Sequence, residues 1–143
     1  MKIKIVAVGK LKPYFAAAAD EYTKRLQRIC DIEVVSLDED GVRKESESIL
    51  KKIKGNYILL DIGGELLSSE EIAAFFSKSL SKGTSEFTFV IGGSDGVNDE
   101  VRQNASMKLS FGRVTYPHQL MRVILLEQIY RAMAINANLP YHK

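Results

Sequence analysis

The sequence predicts an α/β domain, a mostly parallel sheet of five to six strands with helices on both faces. Short runs rich in Ile, Val and Phe alternate with longer stretches of helical spacing, the pattern that builds parallel sheets. One of these runs, Tyr57 to Ile62, is apolar almost throughout, as a strand covered on both faces must be. The breaks fall at glycines, prolines and an acidic turn, with no linker, repeat or low-complexity segment, so residues 1–143 read as one domain.

Lys2 to Val8 alternates and then runs apolar, which predicts the first strand. Gly9 to Pro13 leaves it. Pro13 suits a helix start, and Phe15, Ala18, Ala19, Tyr22, Leu26 and Ile29 form an apolar stripe from Tyr14 to Ile29. Ile32 to Leu37 is the second strand, and Asp38 to Gly41 an acidic turn. Val42 to Lys54 is a charged helix with few apolar positions, stopped at Gly55-Asn56. Tyr57 to Ile62 is the third strand, with Gly63-Gly64 as a turn. Ser68 and Glu71 have capping-box spacing, with Ser69 as the alternative cap. Ile72, Phe75, Phe76 and Leu80 then supply the buried stripe of a helix ended by Gly83. Phe87 to Ile91 is the fourth strand. Asn98 or Ser94 caps a short helix to Asn104. Leu109 to Thr115 is the fifth strand and Gln119 to Asn136 the last helix.

Composition limits the function. At 45% hydrophobic and 27% charged, the chain is ordinary for a globular protein. No apolar run nears the roughly 20 residues that span a bilayer. Ile3 to Val8 is too short for a secretory signal core. A single cysteine, Cys30, excludes an internal disulfide and a thiolate metal cluster, and two histidines with it make a poor metal set. Cys30 reads as a small half-buried apolar residue, and the whole as cytoplasmic. The net charge of +2 lacks the basic excess of most nucleic-acid binders. The clusters Lys2, Lys4, Lys10, Lys12, then Lys24, Arg25, Arg28, then Lys51, Lys52, Lys54 read as solvated faces.

The last helix is apolar around most of its circumference, from Leu120 and Met121 through Val123 to Leu126, then Ile129, Tyr130, Met133 and Ile135. Such a helix is buried on all sides. One face packs on the sheet, and a second copy of the chain covers the other, which predicts a homodimer. The alternative is burial under the chain's own N-terminal elements. Glu127 and Arg131 are four apart in the favourable order for a pair.

Three strand ends carry unusual turns: Asp61-Ile62-Gly63-Gly64, Gly92-Gly93-Ser94-Asp95-Gly96, and Phe111 to His118. In α/β sheets ligands sit beyond such ends. The glycine run is neither a dinucleotide fingerprint nor a P-loop. Glycine allows close backbone approach, and a plain turn stays open as a reading. His118 is either a base or a helix-start residue. The tail Tyr141-His142-Lys143 by itself reads as a frayed end.

In combination, IGGSDG, then LSFGRVTYPHQLMRVILLEQIYRA, then a terminal PYHK resemble the ribosomal RNA large subunit methyltransferase H family, within the SPOUT (α/β-knot) superfamily. The opening KIVAVGKLK, Leu60 to Gly64 and Leu67-Ser68-Ser69 also match, so the resemblance covers essentially the whole chain. It implies an S-adenosylmethionine-dependent enzyme that methylates N3 of a pseudouridine in large-subunit (23S) ribosomal RNA. It also implies a C-terminal trefoil knot, which pattern alone would exclude. The cofactor-binding positions it carries over are Leu60, Gly92, Phe111, Gly112, Arg113, Val114, Thr115 and Tyr116, with Gly112 and Arg113 in a variable part of the last loop. Open turns and apolar walls suit a bent cofactor held by backbone groups.

For catalysis, Arg131 is the candidate cation for the imide anion or for a phosphate. Tyr141 and His142 are candidates for substrate contact or proton transfer, brought over a partner's cofactor in the dimer. The weak net charge argues against tight binding of bare RNA, and the resemblance implies an assembled ribosome as substrate. The alternatives are a SPOUT enzyme acting on transfer RNA and a non-catalytic nucleoside-binding module.

Overall fold

The computed structural model describes residues 1–142, and of His142 only the backbone. The elements follow in the order β1 (Lys2–Val8), α1 (Pro13–Gln27), β2 (Asp31–Leu37), α2 (Val42–Lys52), β3 (Ile58–Leu66), α3 (Ser69–Ser81), β4 (Glu86–Ile91), α4 (Asp99–Asn104), β5 (Met107–Ser110), α5 (His118–Asn136) and a 3-10 turn, Pro140–His142. All five strands pair in parallel, in the order β2-β1-β4-β3-β5. Among the described residues no helix is long and apolar enough to cross a membrane.

Strand alternation divides the core into two layers. Ile3, Ile5 and Ala7 of β1 face α1, α3 and α5, joined by Phe76, Phe87, Phe89, Leu125 and Ile129. Val6 and Val8 face the other way, onto Ile49 of α2 and Val97 and Val101 around α4. Each fully buried aliphatic or aromatic side chain contributes about 1.5–3 kcal/mol. The aromatic centre is tight: the Phe76 and Phe87 rings meet edge-on with centroids 4.8 Å apart.

Caps set the helix starts. The Ser68 side chain accepts from the Glu71 amide at 3.1 Å, and the Glu71 carboxylate accepts from the Ser68 amide at 3.0 Å. That backbone bond holds the Glu71 carboxyl below its usual range. Asn98, not Ser94, caps α4, accepting from the Val101 amide at 3.0 Å. Glu45, buried on α2, accepts from the amides of Asp40 and Gly41 at 2.8 and 3.0 Å, so an acidic residue closes the turn that precedes its own helix.

Several expectations are corrected. β3 does not stop at Ile62. It runs on through Gly63-Gly64 to Leu66, with a register shift in which both Leu60 and Glu65 face Leu109 of β5. β5 is Met107–Ser110, not Leu109 to Thr115; Gly112 at φ +128° turns the chain away. Leu80 and Ile29 lie outside their stripes, 41% and 47% exposed. Ile62, read as interior, is 53% exposed.

The chain itself covers much of α5. Leu125, Leu126, Ile129, Ala132 and Ala134 are buried, and α1 and α3 flank the helix on the sheet. The N-terminal elements thus supply part of the cover. Leu120, Val123, Ile124, Gln128 and Tyr130 remain half-buried.

Candidate functional site

A cavity of about 310 Å³ opens where two neighbouring strands part. β3 and β4 pair only at Ile58 with Phe89 and Leu59 with Val90. Beyond that the ladder stops, and the backbone edges of Leu60 and Ile91 face the gap. Parallel strands that separate at their carboxyl ends leave polar main-chain groups beside apolar walls. The apolar part comes from Leu59, Ile91, Val97, Leu109 and Met121.

Two glycines let the turn on the cavity rim close. A Cβ on Gly92 would meet Val97 Cγ1 at 2.8 Å and the Gly96 backbone at 3.1 Å. Gly96 has φ +81° and its amide donates to the Gly93 carbonyl at 3.0 Å, closing the turn. The third wall is the segment from Ser110 to Pro117. It starts at the sheet edge beside β3 and ends at His118, whose Nε2 lies 3.0 Å from Glu39 Oε1 beyond β2. The segment therefore crosses the strand ends. Ser110 Oγ accepts from the Gly112 amide at 3.2 Å and donates to the Gly112 carbonyl at 2.9 Å, which shapes its first turn.

Of the cofactor positions named from sequence, Leu60, Gly92, Phe111, Gly112, Val114, Thr115 and Tyr116 all line this cavity. Arg113 points to solvent and does not. His118 is the first residue of α5 and also lines it. Two charged residues that sequence reasoning did not single out complete the rim. Asp61 lies past the end of the β3–β4 ladder and Arg102 comes from α4, with Nε and Oδ2 3.6 Å apart. Asp61 stood in a noted turn; Arg102, on a short helix distant in sequence, had no local signal.

Next to the cavity lies a buried cation. Arg122 of α5 is 3% exposed and donates to Ser36 Oγ at 2.8 Å and to the Gly9 carbonyl at 2.6 Å. Its Nε has no partner among the described residues, and burial lowers its pKa. It ties the start of α5 to the ends of β1 and β2.

The residues named for catalysis stand elsewhere in the chain. Arg131 is ten residues beyond the cavity-lining Met121, roughly 15 Å along the helix axis. Its NH2 lies 2.7 Å from Glu127 Oε2. The Tyr141 hydroxyl donates to the same carboxylate at 2.8 Å and lies 3.2 Å from the Tyr22 hydroxyl. Burial, then those two bonds, raise the Tyr141 phenol well above the usual tyrosine range. It is a hydrogen-bond donor near neutral pH, not a base. The side chain of His142 and all of Lys143 lie outside the described residues. Among the described residues no group of three or more His, Cys, Asp or Glu could hold a metal.

Residues 1–142 match the family model described as "Predicted SPOUT methyltransferase". Over the full length of both chains, the sequence is 47% identical to the ribosomal RNA large subunit methyltransferase H of Clostridium novyi and 48% identical to that of Carboxydothermus hydrogenoformans. It is 46% identical, again over both full lengths, to the one from Clostridioides difficile.

Proposed function

The chain belongs to the SPOUT methyltransferase family, and on that premise we propose that it transfers a methyl group from S-adenosylmethionine to N3 of a pseudouridine in 23S ribosomal RNA. The observation that carries the reading is the cavity at the parted ends of β3 and β4, walled by seven of the family-matched positions. Its residues suit the cofactor. Apolar walls take an adenine, parted strand edges offer backbone donors and acceptors, and glycine at 92 lets the rim turn pack tightly on Val97 and Gly96.

When bound, S-adenosylmethionine supplies an electrophilic methyl on a sulfonium. The protein's task is alignment, removal of water and handling of the N3 proton. Phe111, Val114 and Tyr116 close the cavity from the side of the crossing segment and keep water from the reacting atoms. Arg131 steadies the imide anion or a phosphate beside it, while Tyr141, whose one hydroxyl proton is held by Glu127, contacts the substrate through its ring. Since Arg131 lies roughly 15 Å along α5 from the cavity of its own chain, these roles call for a second protomer. The half-buried Leu120, Val123 and Ile124 of α5, with the exposed Leu66 (59%) and Val114 (63%), form the seam of the homodimer. A monomer at micromolar concentration in sedimentation would refute it.

The crossing segment and α5 are threaded as the family's trefoil knot. Forced unfolding checks this: a knotted chain reaches a shorter extended length than its residue count allows. The substrate is the assembled ribosome in the cytoplasm, as the family resemblance suggests; a net charge of +2 neutralises few phosphates of a bare stem, which disfavours free RNA. The deciding experiment incubates the protein with methyl-labelled S-adenosylmethionine and ribosomes, transfer RNA or a short hairpin, then identifies the modified nucleoside. The expected product is N3-methylpseudouridine from ribosomes alone. Label in transfer RNA, or in none, overturns the proposal.

A further inference from the structure

We propose that Asp61 and Arg102 form a clamp for the amino-acid end of the cofactor, Asp61 taking the ammonium and Arg102 the carboxylate. The inference rests on the reading that the cavity binds S-adenosylmethionine.

Among the described residues, and apart from His118, which is engaged with Glu39, these two are the only charged side chains lining the cavity. They approach it from different elements, β3 and α4. Arg102 Nε and Asp61 Oδ2 are 3.6 Å apart. That distance attracts but is too long for a hydrogen bond. Each side chain therefore keeps bonding capacity for a guest. The Asp61 and Arg102 side chains are 21% and 39% exposed, so both reach the opening.

The guanidinium is held from behind. Arg102 NH2 donates to the Val97 carbonyl and NH1 to Asp99 Oδ1, each at 3.4 Å. Asp61 Oδ1 accepts from the Gly63 amide at 3.3 Å, which leaves Oδ2 for a partner. The register shift that loops out residues between Leu60 and Glu65 is what carries Asp61 to this rim.

An α-amino acid carries both charges on one carbon. An adjacent acid and base match that zwitterion, with the charge of the site unchanged on binding. The neighbouring candidates fit worse. A ribose diol is neutral and would use the carboxylate alone. A phosphate would face repulsion from Asp61 and Asp99 together.

Calorimetric affinities for three probes test the clamp in the full-length wild type, Asp61→Asn and Arg102→Gln. S-adenosylmethionine and S-adenosylhomocysteine both carry the zwitterion, and only the first carries the sulfonium. 5′-Methylthioadenosine carries neither. Loss of one charge-assisted contact is expected to weaken the first two by about tenfold in each variant, with the third unchanged within about twofold. Equal weakening of all three means a deformed pocket or a ribose contact and overturns the clamp. Loss for S-adenosylmethionine alone means a readout of the sulfonium and overturns it too, as does unchanged binding of all three. If the wild type binds none of them, the cofactor reading itself fails.

Discussion

Gly63 and Gly64 are neighbours in sequence and opposites in environment, which makes them a paired test of how β3 is built. A Cβ on Gly64 would lie 2.6 Å from the carbonyl carbon of Lys108, 2.7 Å from its oxygen and 2.8 Å from the Leu109 nitrogen. All three atoms are backbone of β5, so no side-chain rotation relieves the clash. To restore the 3.4 Å of ordinary contact, β5 must retreat from β3. Overpacking of this kind costs about 1–3 kcal/mol, and the upper half applies because the strand pair itself is displaced. Gly64→Ala should therefore lose about 2 kcal/mol in urea denaturation at fixed protein concentration. The cavity should suffer as well, since β5 ends at Ser110 and leads directly into Phe111, both on its wall. Gly63 is exposed, with nothing among the described residues within 4 Å of a Cβ. Gly63→Ala should stay within about 0.5 kcal/mol of wild type, as surface changes do. A Gly64→Ala protein as stable as wild type, or a Gly63→Ala protein equally damaged, would refute the strand geometry.

Two further predictions concern groups away from the cavity wall. Ser36→Ala removes the side-chain acceptor of the buried Arg122, and should cost about 1–3 kcal/mol in the same assay; a neutral result would mean that the guanidinium is satisfied in another way. Tyr141→Phe should cost about 1 kcal/mol near neutral pH through the lost bond to Glu127. The folded-state pKa of Tyr141 is raised, so this contribution is full below the ordinary tyrosine value of about 10 and is lost as pH rises through and beyond it. The stability gap between wild type and Tyr141→Phe should narrow with rising pH above about 10; a constant gap refutes the docked phenol.

The elements were legible because local pattern and burial agree. Ile3, Ile5 and Ala7 alternating with Val6 and Val8 announce a strand with helices on both faces, and both layers are present. Ser68 with Glu71 announces its cap. Failures fall where a backbone contact outranks a propensity. Gly63-Gly64 looks like a turn, yet Gly64 is there so that β5 can lie against β3. Phe111 to Thr115 looks like a strand, yet Gly112 at positive φ and the Ser110 hydroxyl turn it into a wall. The strand order β2-β1-β4-β3-β5 has no local signature at all. Most of the proposed cofactor positions rest on a resemblance spanning the chain, whereas Arg102 of α4, which also lines the cavity, has no local signal.

The chain has no tryptophan and six tyrosines. Three of them, Tyr22, Tyr130 and Tyr141, gather around the Arg25 guanidinium at 5.3, 5.6 and 5.8 Å from their ring centroids. Tyr141 belongs to the terminal turn and is bonded to a carboxylate. The protein thus carries its own optical reporter. Docking or release of the last turn should change tyrosine emission and near-ultraviolet dichroism together, with no dye attached. Any partner that displaces this turn could then be timed by light from the unmodified chain.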